Sequence, residues 1–581
     1  MKTHTKLILK YSTLTLVILG GLYYLVPIVI NNIGAYFSNL NFEKRITSRQ
    51  GLPSFTYYIS SQGNDQNDGK SLETAWKTIQ KINETEFNPG DSILLEGSSI
   101  FVGNIEFDKN DVGLPERPIT IRSFGDGRAT IDGNMGDGIK IINTQGYQIS
   151  NINIRGKGYD LNNGSGIAVI NDMFGDRKLD YITIDSMDVS GFGYWGILID
   201  GNKNKSGFKN VSIEYCDVHE NGDAGLYVYG EFNLFSSEYA HSNVKITNIK
   251  SFDNPGRSES TTNTGSGIVI SDTDSGLIEK CIAYNNGFLC HAEMGGPVGI
   301  WAWDSNNIVI QHNESYDNKT ASSKDGGGFD LDGGMTNSIL QYNYSHDNDG
   351  AGLFLAQFTF ARKHRNNIVR YNVSYNDGKK NNYGGIEVWG ICEQSIIHNN
   401  TVIFCQSSDT GSAAFILRPN DELGDSNKKL PTNITITNNI FISNGNTNLV
   451  SAIDALPTIK FIGNNYFNIN GNTNFLWNLK SYKSLSEWRE ETYQETMTSK
   501  NYGFSIDPEL NYKDTFGILN NQFRKINVNH FMLKPNSPMI DAALHMNPNL
   551  TQSKPLTDIK GIPIPQSTKA DIGAHEFKGN K

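Results

Sequence analysis

A short hydrophobic block recurs through the middle of the chain. Each copy reads glycine, hydrophobic, variable, hydrophobic, and the copies begin at residues 166, 196, 225, 267, 299, 328, 352 and 385, with an alanine-led copy at 414. Their separation of 24 to 42 residues is typical of a repeat architecture in which each repeat is one structural unit. Because hydrophobic and variable residues alternate, each copy predicts a short strand with one face in a core.

A second block follows most copies and places asparagine in one column: Asn313, Asn343, Asn372, Asn400 and Asn439. Stacked asparagines can hydrogen-bond through their amides and tolerate tight turns, so we assign this column a structural role. Two or three short strands per repeat, joined by Gly and Asn turns, predict parallel sheets that advance by one strand per repeat. The sequence therefore predicts an all-β chain folded as a parallel β-helix.

The sequence resembles the right-handed parallel β-helix proteins of the pectin-lyase-like class over residues 55–577. TYYISSQGNDQNDGKSLETAWKTIQKIN at 56–83 looks like the N-terminal cap of that class, and FMLKPNSPMIDAA at 531–543 with ADIGAHEF at 570–577 looks like its closing segment. The resemblance implies a β-helix with a cap at each end. It implies no single reaction, because the class includes lyases, hydrolases, epimerases and non-enzymatic adhesins.

The N-terminal segment predicts export and a membrane anchor. Residues 13–30 form an uncharged stretch of 18 residues that follows Lys2, Lys6 and Lys10, so we expect it to span a membrane with the lysines in the cytoplasm. A cleaved signal peptide, which would leave a secreted protein, is the alternative. The predicted segments are a cytoplasmic tail (1–12), a transmembrane signal anchor (13–30), a stalk (31–54), an N-terminal cap with the first coils (55–140), the repeats (141–445), and the last coils with the C-terminal cap (446–581).

Composition narrows the range of partners. The net charge is −11, from 50 Lys and Arg against 61 Asp and Glu, which argues against nucleic acid and weakly against a polyanionic substrate. The five cysteines show neither metal-ligand spacing nor the density of a disulfide framework. We expect a monomer that acts outside the cytoplasm, at the cell surface or in a periplasm.

The variable positions of the glycine-led block predict an outward row of aromatic and charged side chains. If the hydrophobic positions face the core, the alternate positions face solvent. We expect sugar rings to stack on this row, with these side chains binding substrate: Tyr227, Trp301, Trp303, Trp389 and Arg418. Packing on the sheet without a ligand, or burial under a long loop, is the alternative.

Candidate catalytic residues cluster in the segment GGGFDLDGG at 326–334. Asp330 and Asp332 are two residues apart on a predicted strand, so their carboxylates leave one face about 6.6 Å apart at Cα, and Glu387 follows two coils later, roughly 10 Å away. A glycosidase needs two carboxyl groups at such separations, one of them with a raised pKa. We therefore predict hydrolysis of a polysaccharide by Asp330, Asp332 and Glu387, with His346 at a neighbouring turn as an extension of the site.

Calcium is the competing use of the same acidic cluster, with Asp325 and Asp349 as candidate ligands. The resemblance implies this alternative, since lyases of the class pair calcium-bound acids with an Arg or Lys base, here Arg418, Arg362 or Lys363. The chain lacks the catalytic motifs of polygalacturonases and mannuronan epimerases, so no catalytic residue carries over from those families. The third hypothesis is a surface protein that binds glycans without catalysis.

Overall fold

The computed structural model describes residues 40, 42–404, 411–424, 427–471, 473–511, 527–545 and 557–579. Three long sheets build the molecule. Sheet A comprises β1 (Thr56–Ile59), β2 (Ser92–Glu96), β5 (Ile119–Phe124), β8 (Tyr147–Ser150), β11 (Lys178–Asp185), β14 (Gly207–Glu214), β17 (His241–Thr247), β20 (Thr273–Glu279), β23 (Asn306–Gln311), β26 (Ile339–Gln341), β30 (Ile368–Arg370), β34 (Ile396–His398), β37 (Thr435–Thr437) and β40 (Lys460–Ile462).

Sheet B comprises β3 (Ile100–Val102), β6 (Ala129–Asn134), β9 (Ile152–Gly156), β12 (Asp188–Ser190), β15 (Asp217–His219), β18 (Lys250–Phe252), β21 (Ile282–Tyr284), β24 (Glu314–Tyr316), β27 (Tyr344–His346), β31 (Val373–Tyr375), β35 (Thr401–Phe404), β38 (Ile440–Ser443) and β41 (Asn465–Asn468).

Sheet C comprises β4 (Ile105–Phe107), β7 (Ile139–Ile142), β10 (Ile167–Ile170), β13 (Trp195–Gly201), β16 (Ala224–Gly230), β19 (Ser266–Ser271), β22 (Val298–Trp303), β25 (Gly327–Leu331), β28 (Leu353–Ala356), β32 (Ile386–Trp389), β36 (Ala413–Arg418), β39 (Asn448–Ala452), β42 (Phe475–Trp477) and β43 (Lys480–Tyr482). The remaining strands form two short pairs: β29 (His364–Arg365) with β33 (Cys392–Glu393), and β44 (Thr496–Met497) with β45 (Lys500–Asn501).

Each coil contributes one strand to sheet C, then one to sheet A and one to sheet B, so the predicted parallel β-helix is confirmed. Neighbouring strands pair in parallel throughout the three sheets, except for the closing pair of β42 with β43. The hydrophobic positions of the glycine-led block line the interior: Ile300 and Ala302 are fully buried and pair with Phe329 and Leu331 of the next coil. Stacking of like positions thus produces one continuous core along the rod.

The first glycine of each block is required by close approach rather than by an unusual backbone angle. A Cβ added at Gly299 would lie 2.0 Å from the Ser315 hydroxyl, on β24 of the same coil, and 2.6 Å from the Asn318 amide, in the turn that follows β24. Ser315 in turn donates a hydrogen bond to the carbonyl of Gly328 at 2.8 Å. The recurring glycine therefore makes room for the polar side chains that close the coil.

Two ladders of buried asparagine side chains run along the turns. The first ladder confirms the predicted column and consists of Asn313, Asn343, Asn372, Asn400, Asn439 and Asn464, ending on Glu495. The second, which the sequence reading missed, consists of Asn221, Asn254, Asn286, Asn318 and Asn348, ending on Asp377. In both ladders the backbone N–H and the side-chain amide of one residue donate to Oδ1 of the residue in the next coil. A carboxylate suits the last position because it only accepts hydrogen bonds.

The C-terminal part of the predicted stalk contains a helix that packs against the β-helix. Helix α1 spans residues 42–49. Phe42 is 3% exposed and packs into the core, and Arg49 donates hydrogen bonds to the Phe87 carbonyl at 2.9 Å and to Glu86 at 2.8 Å. The sequence reading missed this helix because it is short and carries one buried residue, a pattern that does not stand out from a polar linker.

The cytoplasmic tail, the signal anchor at 13–30 and residues 31–39 lie outside the described residues. Within the ranges that the structure describes, no helix is long and apolar enough to cross a membrane. The described helices beyond α1 are α2 (Gln80–Asn83), α3 (Leu485–Thr492) and a 3₁₀ turn (Val528–Phe531). Ser484 is the N-cap of helix α3, and its side chain accepts a hydrogen bond from the backbone N–H of Glu487.

The C-terminal segment folds back onto sheet B. Phe531 contacts Tyr344 and Tyr375, with ring centroids 5.9 and 5.2 Å apart, and Ile572 is fully buried in the same cluster. Sheet B is therefore covered near the C-terminal end of the rod. Other loops contact the outer face of sheet C.

Candidate active site

The outward row of sheet C has the predicted register. Val269 pairs with Trp301, Trp301 with Asp330, Asp330 with Phe354, and Phe354 with Glu387. These side chains therefore stand in one line, about 4.8 Å apart from coil to coil.

The prediction that this row faces solvent is wrong for most of its members. Trp301 is 8%, Asp330 4% and Glu387 0% exposed, whereas Tyr227, Trp303, Asp332, Trp389 and Arg418 stay partly exposed. The covering side chains come from loops that lack the repeat pattern, among them Phe358 and Tyr383. Asp330 and Glu387 are thus enclosed, whereas Asp332, Trp303 and Trp389 keep partly exposed side chains.

Asp330 and Asp332 lie side by side in differing surroundings. Asp330 lies between Trp301 and Phe354, and its Oδ1 finds no hydrogen-bond donor within the described chain. Burial, reinforced by the charges of Asp332, Asp325 and Glu387, holds the pKa of Asp330 well above its usual range. Its surroundings therefore favour the protonated form of Asp330.

Asp332 follows the end of β25 and is partly exposed. Its backbone N–H donates to the carbonyl of Ala302 at 2.9 Å, which continues the strand register and sets Asp332 beside Trp303 of the preceding coil. Burial raises the pKa of Asp332 to about 7, with the Asp325 charge acting in the same direction and a hydrogen bond from the Gly333 N–H opposing. A partly exposed carboxyl that titrates near neutrality has the property of a general acid.

Glu387 does not belong to a substrate-facing acid pair, which corrects the sequence prediction. Its Oε1 accepts hydrogen bonds from Nε and Nη2 of Arg418 at 2.7 and 2.5 Å, and its side chain is completely buried. Burial raises the pKa of Glu387 even though Arg418 opposes the rise. Arg418, predicted to bind substrate, is thus paired with Glu387. Its guanidinium lies 5.4 Å from the centre of the Tyr383 ring.

Asp325 is better placed than Glu387 to serve as a second carboxylate. The Tyr383 hydroxyl donates to its Oδ1 at 2.9 Å, and the Gly296 N–H donates to its Oδ2 at 2.6 Å. Burial raises the pKa of Asp325, while these two hydrogen bonds favour the ionised form. Asp325 is partly exposed and close enough to Asp332 for its charge to raise the pKa of that residue.

The two predicted calcium ligands are occupied by donors from the protein. Asp349 receives Nζ of Lys380 at 2.7 Å and the Thr320 N–H at 3.2 Å, and Asp325 is held as described above. Over the residues with described positions, no group of three or more His, Cys, Asp or Glu side chains could hold a metal ion. These hydrogen bonds favour a role of Asp325 in acid–base chemistry over calcium binding.

The aromatic members of the row are tied to one another. Nε1 of Trp303 donates to the Tyr227 hydroxyl at 3.0 Å, and Nε1 of Trp301 donates to Ser266 at 3.1 Å. Trp389 packs at the edge of a small cluster that contains Phe354. Trp303 and Trp389 are therefore the predicted tryptophans that keep surface for a ligand, whereas Trp301 is part of the floor.

His346 lies elsewhere, and its predicted place in the site is wrong. It belongs to β27 of sheet B, which faces another side of the coil, and its ring stacks on Tyr316 with centroids 4.8 Å apart. Although burial acts to lower it, hydrogen bonds to Asp347 and Glu314 raise the pKa of His346 to about 9. His346 is a charged member of a stacked column that runs along sheet B.

Comparisons with known proteins agree with the fold. A family described as "Right handed beta helix region" matches residues 180–402. The chain is 24% identical over 503 residues to a lacto-N-biosidase of Bifidobacterium longum subsp. longum, covering 68% of this chain and 29% of the relative. It is 26% identical over 216 residues to pectate lyase L of Thermoclostridium stercorarium, covering 36% of this chain and 16% of the relative.

A solved GH136 lacto-N-biosidase from Eubacterium ramulus is similar with 19% identity and a TM-score of 0.47, covering 66% of this chain and 67% of that one. The chain spans less than a third of the length of the two curated relatives it matches. The sheet topology shows that this chain is a parallel β-helix, and the match over residues 180–402 is to a family of right-handed β-helix regions.

Proposed function

We propose that this β-helix protein hydrolyses glycosidic bonds of a neutral oligosaccharide or polysaccharide on the outer face of sheet C. The observation that carries the proposal is Asp332, a partly exposed carboxyl with a pKa near 7 that lies beside Trp303 and close to Asp325. The relatives support a carbohydrate substrate, since one is a lacto-N-biosidase and one a pectate lyase.

The surroundings of Asp332 and Asp325 suit the two carboxyl groups to different roles in hydrolysis. Asp332 gives its proton to the glycosidic oxygen as the bond to the anomeric carbon breaks, so the leaving sugar departs as an alcohol. Asp325, whose ionised form accepts hydrogen bonds from Tyr383 and Gly296, acts on the anomeric carbon directly or takes a proton from the attacking water. The first route retains the anomeric configuration and the second inverts it.

A lyase is the second candidate function, and the charges of the site argue against it. A uronate substrate needs cations to balance its carboxylates, and β-elimination needs a free base. Of the candidate bases, Arg418 and Arg362 are each engaged in an ion pair with a carboxylate of the chain, whereas Lys363 is exposed and forms no ion pair within the described residues. The resemblance to a pectate lyase keeps this alternative open to experiment.

A product screen separates the candidate functions. The full chain is incubated with 4-nitrophenyl lacto-N-bioside, neutral polysaccharides, polygalacturonate and alginate, with and without a chelator. We expect new reducing ends or nitrophenol from neutral substrates, unchanged by the chelator. Unsaturated products that absorb in the ultraviolet and vanish with the chelator would establish a lyase, and binding without any product would establish a glycan-binding protein.

The rate of hydrolysis should follow a bell-shaped pH profile. Asp332 must carry its proton, so kcat/KM is expected to fall about tenfold per pH unit above pH 7. Asp325 must be ionised, so the rate is also expected to fall at acidic pH, on a limb that lies above the ordinary pKa of an aspartate because burial raises it. Circular dichroism across the same range serves as the control for folding, and a rate that rises steadily from pH 7 to 9 would contradict this assignment.

We also propose that the protein acts outside the cytoplasm and is held at a membrane by residues 13–30. The lysines before this uncharged stretch and the length of the stretch support the proposal. We expect the full chain to remain with the membrane fraction after washing at alkaline pH. Release of a shortened chain into the soluble fraction would instead establish a cleaved signal peptide.

A further inference from the structure

A loop over residues 357–363, called here the clamp loop, is fastened above sheet C by one arginine. Nε of Arg362 donates to Asp304 at 2.5 Å, and Nη2 donates to the Asp304 carbonyl at 2.8 Å and to Asp272 at 3.3 Å. Asp304 and Asp272 are fully buried, and Asp272 is also paired with Lys205 at 2.7 Å. Arg362 is thereby anchored in an interior ionic network, which costs more to break than a surface pair.

The same guanidinium reaches a second loop. Nη1 of Arg362 donates to the carbonyls of Ser236 and Glu238, both at 3.2 Å, in the insertion at 231–240. The guanidinium also lies 4.2 Å from the centre of the Tyr239 ring. One side chain therefore joins two loops that come from coils far apart in the sequence.

The clamp loop places Phe358 beside the candidate acid. A Cβ built on Gly333, the residue after Asp332, would lie 2.2 Å from Cε1 of Phe358, so the ring rests directly on that glycine. The Phe358 ring also lies 6.4 Å from Trp303 and 6.3 Å from Phe232, centroid to centroid. Phe232, Trp303 and Phe358, called here the aromatic wall, are all partly exposed.

Three further hydrogen bonds hold the loop in this position. Gln357 accepts from the Gly334 N–H at 3.0 Å and donates to the Arg362 carbonyl at 2.8 Å, and the Thr359 N–H donates to Glu422 at 2.8 Å. The loop is thus hydrogen-bonded to Gly334 and packed against Gly333, the two glycines that follow Asp332. The anchoring is more extensive than covering a hydrophobic strip requires.

We propose that the aromatic wall is a sugar-binding subsite next to Asp332 and that Arg362 is its positioning residue. A pyranose ring offers an apolar C–H face that suits an aromatic surface. Both cations of the network, Arg362 and Lys205, are paired with carboxylates of the chain, so the subsite takes a neutral sugar. The inference rests on the proposed hydrolysis, since it places this subsite beside the acid of that reaction. It removes Arg362 from the candidate bases of a lyase.

The test compares F358A, R362A and the double variant F358A/R362A with the wild-type chain. Hydrolysis of 4-nitrophenyl lacto-N-bioside gives kcat and KM, and calorimetric titration with lacto-N-biose gives Kd. We expect KM and Kd to rise about tenfold in each single variant, with kcat and the pH limb near 7 little changed. Because Arg362 acts through Phe358, the double variant should bind no worse than R362A alone.

G333A provides an independent perturbation that keeps the side chains of Arg362 and Asp304, because its new Cβ would lie 2.2 Å from the Phe358 ring and 2.9 Å from Cβ of Ala361. We expect G333A to weaken lacto-N-biose binding as F358A does. R155K is the matched control, since Arg155 is paired with Asp188 at 2.6 Å on sheet B, far from the clamp loop in the coil.

The outcomes distinguish this inference from the proposed function. Unchanged KM and Kd in F358A and G333A, or strictly additive losses in the double variant, would overturn the subsite. Binding of lacto-N-biose that these variants weaken, without hydrolysis by the wild type, would support the subsite and overturn the hydrolase. Failure of the wild type to bind lacto-N-biose would overturn the subsite as a site for this neutral sugar.

Discussion

Replacing Asp332 by asparagine should lower kcat on a neutral glycan by about 10²- to 10⁴-fold, the usual contribution of a general acid. The amide has the shape of the carboxyl but cannot give up a proton to the leaving oxygen. KM should change little, because the aromatic side chains beside Asp332 remain. The measurement is the steady-state rate on the best substrate of the product screen.

Asp330 supplies the matched control for this experiment. It lies two residues away on the same face, and burial raises its pKa and so favours the neutral form, which an asparagine mimics. We therefore expect D330N to retain most of the wild-type kcat, and D325N to lose activity as D332N does. Equal losses in D330N and D332N would contradict the division of roles, and a kcat within threefold of wild type in D332N would contradict the assignment of the acid.

The stability of D332N separates a catalytic defect from a folding defect. Because the folded chain raises the pKa of Asp332 to about 7, its contribution to stability is fully present below the ordinary pKa of an aspartate and is lost as pH rises through 7. Asparagine has no charge to bury. At pH 8 the variant should therefore be at least as stable to urea as the wild type.

Replacing Asn343 by alanine should be the most damaging single change to the fold. The side chain accepts from the backbone N–H and the amide of Asn313, both at 3.0 Å, and donates to the Ile310 carbonyl at 2.9 Å and to Asn372 at 3.0 Å. Alanine leaves the Asn313 backbone N–H without this acceptor and removes one partner each from the Asn313 amide and the Ile310 carbonyl, at about 1–3 kcal/mol each. We expect a loss of about 3 kcal/mol or more in the free energy of unfolding.

Urea unfolding followed by circular dichroism measures this loss, and hydrogen exchange locates it in the coils around residue 343. N153A is the control, since Asn153 is partly exposed on sheet B and makes one long contact of 3.5 Å to Thr130. We expect less than about 0.5 kcal/mol for N153A. A loss below 1 kcal/mol in N343A would mean that water or backbone movement replaces the ladder.

Features that repeat from coil to coil could be predicted from the sequence. The glycine-led block marks the strands of sheet C, and alternation within it identifies which side chains face outward, because a one-residue shift would bury the wrong set. The pairing of Trp301 with Asp330 and of Phe354 with Glu387 follows from that register. The asparagine column follows from the same repetition.

Features that depend on one loop could not be predicted. Phe358 and Tyr383 lie in segments without periodicity, so nothing in the sequence indicates that they cover the row and enclose Asp330. The hydrogen bond from Tyr383 to Asp325 joins residues 58 positions apart, and it changes Asp325 from a candidate calcium ligand into a candidate catalytic carboxylate. Glu387 and Arg418 were both in the predicted row, and only side-chain geometry shows that they neutralise each other.

The direction of the asparagine ladders has a consequence for how such a protein can change length. Every rung donates toward the C-terminal coils, and the series ends on an acceptor-only side chain, Glu495 in one ladder and Asp377 in the other. A whole coil inserted or deleted between two asparagines leaves each donor facing an acceptor, whereas a partial coil breaks the series at both cuts. The rod can therefore be lengthened or shortened in its interior by complete turns, while its two terminating carboxylates must be kept.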